Sequence, residues 1–184
     1  MEKVTLDELL TKDITNKVIC FPTDTVYGVG AQVGDKLAIN KIYEMKKRDY
    51  SKPLAILTPT KNIDKYVVKI SSEAHNLMDK GWPGALTLIF KKSNIIDDEI
   101  TNGLDTIAFR MPDSKIALAI LNHFGPLATT SVNISGSSPI NDLETIVKLF
   151  SKYIDYLVTD KEEIKGMPSK IIDVSSDVIK VIRN

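Results

Sequence analysis

Short apolar runs rich in β-branched residues alternate along the chain with stretches in helical spacing, and this alternation limits the possible folds most strongly. Such runs are typical of buried strands, and strands that alternate with helices are typical of α/β proteins. Strands are predicted at 17–22, 54–58, 86–91, 105–110, 127–131, 155–159, 170–174 and 178–182. Helices are predicted at 6–12, 35–46, 71–80, 114–124 and 142–150, and residues 23–34 are predicted to form a loop. Because three strands cluster near the C-terminus, we expect a mixed sheet flanked by helices.

The helix starts carry recognisable capping residues. Thr5 begins a capping-box pattern with Glu8, and Asp35 and Asp113 are N-cap candidates. Cys20 is the only cysteine, and its apolar neighbours predict a buried strand thiol without a disulfide.

The size and composition indicate one domain, residues 1–184, with no repeat and no linker. No apolar run approaches the roughly 18–20 residues that a membrane span needs. The first ten residues lack the basic start and apolar run of a signal peptide, so the expected location is the cytoplasm.

The charges balance, with 24 basic and 24 acidic residues, which argues against a protein that coats nucleic acid by bulk charge but allows a local basic patch. Only three basic residues are arginines: Arg48, Arg110 and Arg183. In a lysine-rich chain, arginine is expected where a planar, bidentate anion binder is needed. The two histidines, His75 and His123, lie far apart in predicted helices and are expected at the surface.

Three polar stretches are candidate binding elements. Residues 21–28 follow a buried strand, where α/β folds place ligand-binding loops, although a simple turn would have the same composition. The cations at 46–52 match a helix C-terminus in part, whereas a phosphate or carboxylate site accounts for all four. Residues 129–139 offer many hydroxyl groups that could bind a nucleotide or an amino acid, or could form a capped polar loop.

Arg110 ends a predicted strand, where an arginine can clamp a carboxylate. Together with the three stretches it indicates a pocket for two anions with polar walls. No nucleophile, acid–base pair or metal cluster is evident. Positioning and charge neutralisation, as in adenylyl transfer from ATP with magnesium, are therefore the favoured chemistry.

At these positions the sequence resembles the YrdC/TsaC family, the threonylcarbamoyl-AMP synthases. The resemblance spans Phe21 to Arg183 and rests on five ordered motifs, at 22–31, 46–54, 82–87, 108–112 and 130–136. It implies a single YrdC-like domain with a twisted sheet and a large basic cavity. It also implies a reaction of L-threonine, bicarbonate and ATP that yields threonylcarbamoyl-AMP and pyrophosphate. That reaction is the first step of threonylcarbamoyl-adenosine modification of tRNA, and a transfer complex acts downstream.

The resemblance also implies residue roles. Lys46 and Arg48 would be catalytic. The residues implied to bind L-threonine are Thr25, Arg110, Thr129 and Ser169. The residues implied to bind ATP are Lys46, Arg48, Lys52, Thr106, Ser131, Asn133 and Arg183. No residue is implied as a metal ligand, and Mg²⁺ would arrive with the nucleotide.

Four positions depart from the family pattern: Lys47, Asp49, Leu57 and Lys170. They leave amino-acid selectivity and rate open, so an enzyme that adenylates a different small acid is one alternative. The other is a non-catalytic module of the same fold that binds double-stranded RNA or tRNA. Closure of a loop near Gly166 is also left open.

Overall fold

The computed structural model describes all 184 residues, Met1–Asn184, and contains ten strands, five α-helices and one short 3₁₀ turn. The strands are β1 (Glu2–Val4), β2 (Ile19–Phe21), β3 (Gly28–Gln32), β4 (Ala55–Leu57), β5 (Leu86–Lys91), β6 (Thr106–Arg110), β7 (Leu127–Ser131), β8 (Tyr156–Val158), β9 (Lys170–Asp173) and β10 (Lys180–Arg183). The helices are α1 (Leu6–Leu9), α2 (Lys36–Lys46), α3 (Ser72–Gly81), α4 (Lys115–Phe124) and α5 (Leu143–Phe150), and the turn spans Asp64–Tyr66.

All ten strands form one sheet in the order β1-β8-β2-β3-β7-β4-β6-β5-β9-β10. The sheet contains both parallel pairs, such as β4–β6, and antiparallel pairs, such as β3–β7, so the predicted mixed sheet is confirmed. Strands far apart in sequence meet at its centre, where β7 lies between β3 and β4.

Helices cover the two faces of the sheet unequally. Residues of α2, α3 and α5, among them Ile42, Met78 and Phe150, share a cluster of 30 buried residues with one face. On the other face, α4 packs through residues such as Ile120 against Leu57 and Leu127 in a smaller cluster of 12. This second cluster covers only part of its face, and the remainder carries polar side chains.

Most predicted elements are confirmed, including the capping box at Thr5 and the N-cap at Asp35. Cys20 is fully buried, and both histidines are exposed. None of the helices has the length and apolar character that a membrane crossing requires.

Four details of the prediction were wrong. Strand β3 lies inside residues 23–34, which were predicted as a loop, and the short edge strand β1 was missed. Helix α1 ends at Leu9, three residues before the predicted end. The N-cap of α4 is Ser114 rather than Asp113, because the Ser114 hydroxyl accepts the Ala117 N–H.

Candidate functional site

A strip of small and polar residues crosses the sheet beside the part covered by α4. Directly paired residues on neighbouring strands point to the same face, and Gly30 and Ala55 both pair with Thr129. On β6, alternation places Thr106 and Arg110 on this same face. None of these residues belongs to either apolar cluster, so this part of the sheet has polar rather than apolar packing.

Arg110 is the buried cation at one end of the strip, with 7% of its surface exposed. Its Nε donates to the Gly84 carbonyl at 2.9 Å and its Nη1 donates to the Thr25 hydroxyl at 2.8 Å. Its Nη2 donates to Asp24 Oδ1 in a buried ion pair. Burial lowers the pKa of Arg110, and the Asp24 charge opposes this effect.

Ser169 extends this end of the strip. Its hydroxyl forms a 2.7 Å hydrogen bond with the buried Thr87 hydroxyl. Arg183 donates from Nε to the Ser169 carbonyl at 2.9 Å. The charge of Arg183 also helps to lower the pKa of Arg110, which indicates that the two guanidinium groups act on the same region.

Lys46 is the buried cation at the other end, only 1% exposed although it closes a helix. Its Nζ donates to the Ser131 carbonyl at 2.6 Å, and to the Asn133 carbonyl and Oδ1 at 3.1 and 2.6 Å. In the charged form of Lys46 these bonds use all three ammonium protons. Burial, together with the nearby charge of Arg48, lowers the pKa of Lys46 to about 7.

Arg48 lies next to Lys46 on a short loop and is partly exposed. Its Nε donates to the Lys52 carbonyl at 2.7 Å and its Nη2 donates to the Pro53 carbonyl at 3.1 Å. The same Lys52 carbonyl accepts the Tyr43 hydroxyl, so the loop is fastened to α2. Only two of the five guanidinium N–H groups are used by these bonds.

The two ends are separated along the strands. Arg110 lies level with Leu127 in the sheet, because both pair with Leu57, and Ser131, which accepts from Lys46, lies four residues further along β7, which corresponds to about 13 Å. Thr129 lies near the middle, directly opposite Gly30. A ligand with one anionic group at each end and a polar body between them matches this layout.

A segment that we call the strap, residues 161–169, lies against the Arg110 end. The Lys165 and Gly166 N–H groups donate to the carbonyls of Asp24 and Thr25 at 3.2 and 2.8 Å. Glu162 accepts the Ser114 hydroxyl and, at 2.6 Å, the Lys115 N–H at the start of α4. The strap is therefore connected both to the site and to a helix.

The sequence-predicted residues thus fall into two groups. The Arg110 group brings together Thr25, Ser169 and Arg183, although Arg183 was assigned to ATP. The Lys46 group brings together Ser131, Asn133 and, on the adjoining loop, Arg48 and Lys52. Lys46 Nζ is engaged by three protein oxygens.

Two residues of the Arg110 group were missed by sequence reasoning, Asp24 and Thr87. Both lie inside the motifs at 22–31 and 82–87, but the sequence of a motif does not show which distant residue a polar side chain contacts. A surface cavity of about 670 Å³ near Gly34 and Phe124 contains none of the predicted site residues. The large basic cavity therefore stays a prediction.

The fold and the site define a mixed α/β protein with cationic groups at both ends of a polar strip, a class suited to anionic small molecules. Residues 14–184 match the sequence model of the Sua5/YciO/YrdC family, whose description reads "Telomere recombination". The chain belongs to this family.

Individual relatives agree with this assignment. The chain is 38% identical over 180 residues to a putative threonylcarbamoyl-AMP synthase from Methanocaldococcus jannaschii, covering 96% of this chain and 84% of that protein. It is 36% identical over 161 residues to the threonylcarbamoyl-AMP synthase of Pyrococcus abyssi, covering 86% of this chain and 47% of that protein. The chain thus spans about half the length of the Pyrococcus abyssi relative.

Solved structures show the same fold. The Pyrococcus abyssi Sua5 protein in complex with L-threonine superposes with a TM-score of 0.89 at 30% identity, covering 100% of this chain and 57% of that one. Escherichia coli YciO superposes with a TM-score of 0.81 at 24% identity, covering 97% of this chain and 88% of that one, and shares the fold.

Proposed function

We propose that this protein condenses L-threonine, bicarbonate and ATP to threonylcarbamoyl-AMP with release of pyrophosphate. The observation that carries the proposal is the strip with an arginine-containing group at each end, since the substrates supply a carboxylate and a triphosphate. Relatives named threonylcarbamoyl-AMP synthases and a relative's complex with L-threonine support the same choice.

The Arg110 group is assigned to L-threonine. Arg110 donates three N–H groups to protein atoms and has two more for a carboxylate. The hydroxyls of Thr25, Thr129 and Ser169 provide neutral partners for the amino acid. Because Arg110 is held by Gly84, Thr25 and Asp24, its guanidinium is preorganised before the ligand arrives.

The Lys46 end is assigned to ATP. Arg48 and Lys52 neutralise the phosphates, with Arg48 stabilising the charge that develops as pyrophosphate leaves. Ser131, Asn133 and Thr106 contact the nucleotide. Lys46 is proposed to act with Arg48 as a catalytic cation beside the phosphates, and its bonds to Ser131 and Asn133 hold that loop in place. Arg183, which lies at the threonine end, contacts the adenylate where it meets the amino acid.

Magnesium is proposed to enter with ATP. The chain has no group of three histidine, cysteine, aspartate or glutamate residues placed to hold a metal ion. Asp24, the carboxylate at the threonine end, is already paired with Arg110. The phosphate oxygens are therefore the proposed ligands of the ion.

The product is a mixed anhydride that a further enzyme must consume. We assign the reaction to the first step of threonylcarbamoyl-adenosine formation on tRNA, with a separate transfer complex acting downstream. The cytoplasm, which holds ATP, bicarbonate and tRNA, is the proposed location.

The test is pyrophosphate release by the purified chain with ATP and magnesium. We expect release only when threonine and bicarbonate are both present. Arg48→Ala should lower kcat/KM by about 30- to 4,000-fold, which corresponds to losing a charge-assisted contact of about 2–5 kcal/mol. Lys36→Ala is the matched control, because the Lys36 side chain is 68% exposed and forms only a surface ion pair with Glu99.

Other outcomes would change the assignment. Release that depends on another amino acid would keep the site but change the substrate. No release from folded protein, together with tRNA binding that weakens steeply with salt, would favour the RNA-binding alternative.

A further inference from the structure

Asp24 carries an oxygen without a partner in the middle of the Arg110 group. The residue is 4% exposed, and its Oδ1 accepts from Arg110. Its Oδ2 is buried and has no hydrogen-bond partner in the protein. Buried polar atoms are nearly always paired, and an unpaired carboxylate oxygen is among the costliest to bury. We therefore expect this unpaired oxygen to accept a hydrogen bond from a ligand.

The surroundings of Oδ2 indicate which ligand. Arg110, bonded to the same carboxylate, has N–H groups that protein atoms do not use. An unused acceptor and unused donors therefore lie side by side. An α-amino acid presents the complementary pair, because its amino and carboxylate groups are attached to one carbon.

We infer that Asp24 Oδ2 accepts a hydrogen bond from the amino nitrogen of the amino-acid substrate while Arg110 binds its carboxylate. Asp24 is thereby a specificity-determining residue that selects amino acids over other small acids. The nitrogen keeps one N–H after it has become a carbamate, so the same bond can persist to the adenylation step. This inference rests on the proposed function and names how its substrate is recognised.

A pair of ligands isolates the contribution of the amino group. L-Threonine and (R)-3-hydroxybutanoate share the carboxylate, hydroxyl and methyl groups and differ only in the amino group. Titration calorimetry on the full chain should show that L-threonine binds about 10- to 100-fold more tightly, the range for a hydrogen bond to a charged group. The Asp24→Asn variant should bind L-threonine about 10- to 100-fold more weakly and (R)-3-hydroxybutanoate almost unchanged.

The asparagine variant separates ligand recognition from support of Arg110. Its amide oxygen can still accept from Arg110, whereas its NH₂ group replaces Oδ2 with a donor. If Asp24 only held Arg110 in place, both ligands would weaken by the same factor, and the inference would be overturned. Asp79→Asn is the control, since the Asp79 side chain is 73% exposed and pairs only with Lys61.

The wild-type measurement also decides the matter if the variant does not fold. Equal affinities of wild-type protein for the two ligands would overturn the role of Asp24 while leaving the proposed reaction in place. Absence of L-threonine binding to folded wild-type protein, with no threonine-dependent pyrophosphate release, would instead overturn the proposed function. The two failures are therefore distinguishable.

Discussion

The buried ammonium group of Lys46 makes the stability of this protein depend on pH in a defined direction. Burial lowers the pKa of Lys46 from its ordinary 10.5 to about 7. In the unfolded chain the lysine regains its ordinary pKa, so between about pH 7 and 10.5 the unfolded state binds more protons than the folded state. The free energy of unfolding must therefore rise as the pH rises through this window.

The magnitude follows from the difference between the two pKa values. Below pH 7 Lys46 is charged in the folded state, and the cost of burying that charge lowers the free energy of unfolding by its full amount. As the pH rises above 7, Lys46 loses its proton in the folded state and this cost decreases. At about 1.4 kcal/mol for each pKa unit, moving from pH 6 to pH 9 should add about 2–3 kcal/mol of stability from this one group. Because the side chain is 1% exposed, solvent screening reduces this value little.

The assay is urea denaturation of the wild type and Lys46→Met at pH 6, 7, 8 and 9. Methionine has a similar length but no titrating group, so the wild-type minus variant difference isolates Lys46. We expect that difference to rise by about 2–3 kcal/mol across the range with unchanged m-values. A flat difference would refute the reasoning, because it would mean that the three oxygens around Nζ fully compensate the ammonium for its lost hydration.

Two further predictions concern the packing around the site. Gly30→Ala should lower the free energy of unfolding by about 1–3 kcal/mol in urea, because the new Cβ would lie 2.8 Å from Thr129 Oγ1. Gly28→Ala should cost less, since its nearest contact is a methyl group at 3.2 Å, and equal costs would contradict this account. Glu162→Ala should speed tryptic cleavage at 161–165 several-fold, because it detaches the strap from α4. Unchanged cleavage would show that the remaining contacts suffice to hold the strap.

Local features of the fold could be predicted because they depend on neighbouring residues. The helix start at Asp35 is recognisable because the cap and the N–H that it accepts lie three residues apart. The buried strand around Cys20 is recognisable because its apolar run is continuous. Such features depend only on residues that lie within a few positions of one another in the sequence.

Strand β3 shows why local sequence patterns wrongly predicted a loop over residues 23–34. Gly28 and Gly30 have low strand propensity, which favoured a loop. In the sheet they face Thr129 so closely that a side chain on Gly30 would collide with its hydroxyl. The glycines are explained by the neighbouring strand, about 100 residues away in sequence, and no local pattern records that contact.

The types of residue in the site could be predicted from the sequence, but which of these residues contact one another could not. The Asp24–Arg110 pair joins residues 86 positions apart, and Thr87 and Ser169 are 82 apart. The Thr87–Ser169 contact exists because β5 and β9 are adjacent in the sheet, whereas the Asp24–Arg110 contact joins the loop between β2 and β3 to the end of β6. Composition could indicate that an anion site needs arginine, whereas only topology could show which carboxylate and which hydroxyls accompany it.

The three arginines show how a guanidinium group distributes its hydrogen-bond donors differently from the ammonium group of a lysine. Each one donates its Nε to a backbone carbonyl, Arg48 to Lys52, Arg110 to Gly84 and Arg183 to Ser169. That bond restricts the orientation of the group and leaves N–H groups on the terminal nitrogens for other partners. A lysine cannot divide its donors in this way, since all three protons leave from one nitrogen. Lys46 illustrates the contrast, because its single nitrogen donates to three protein oxygens.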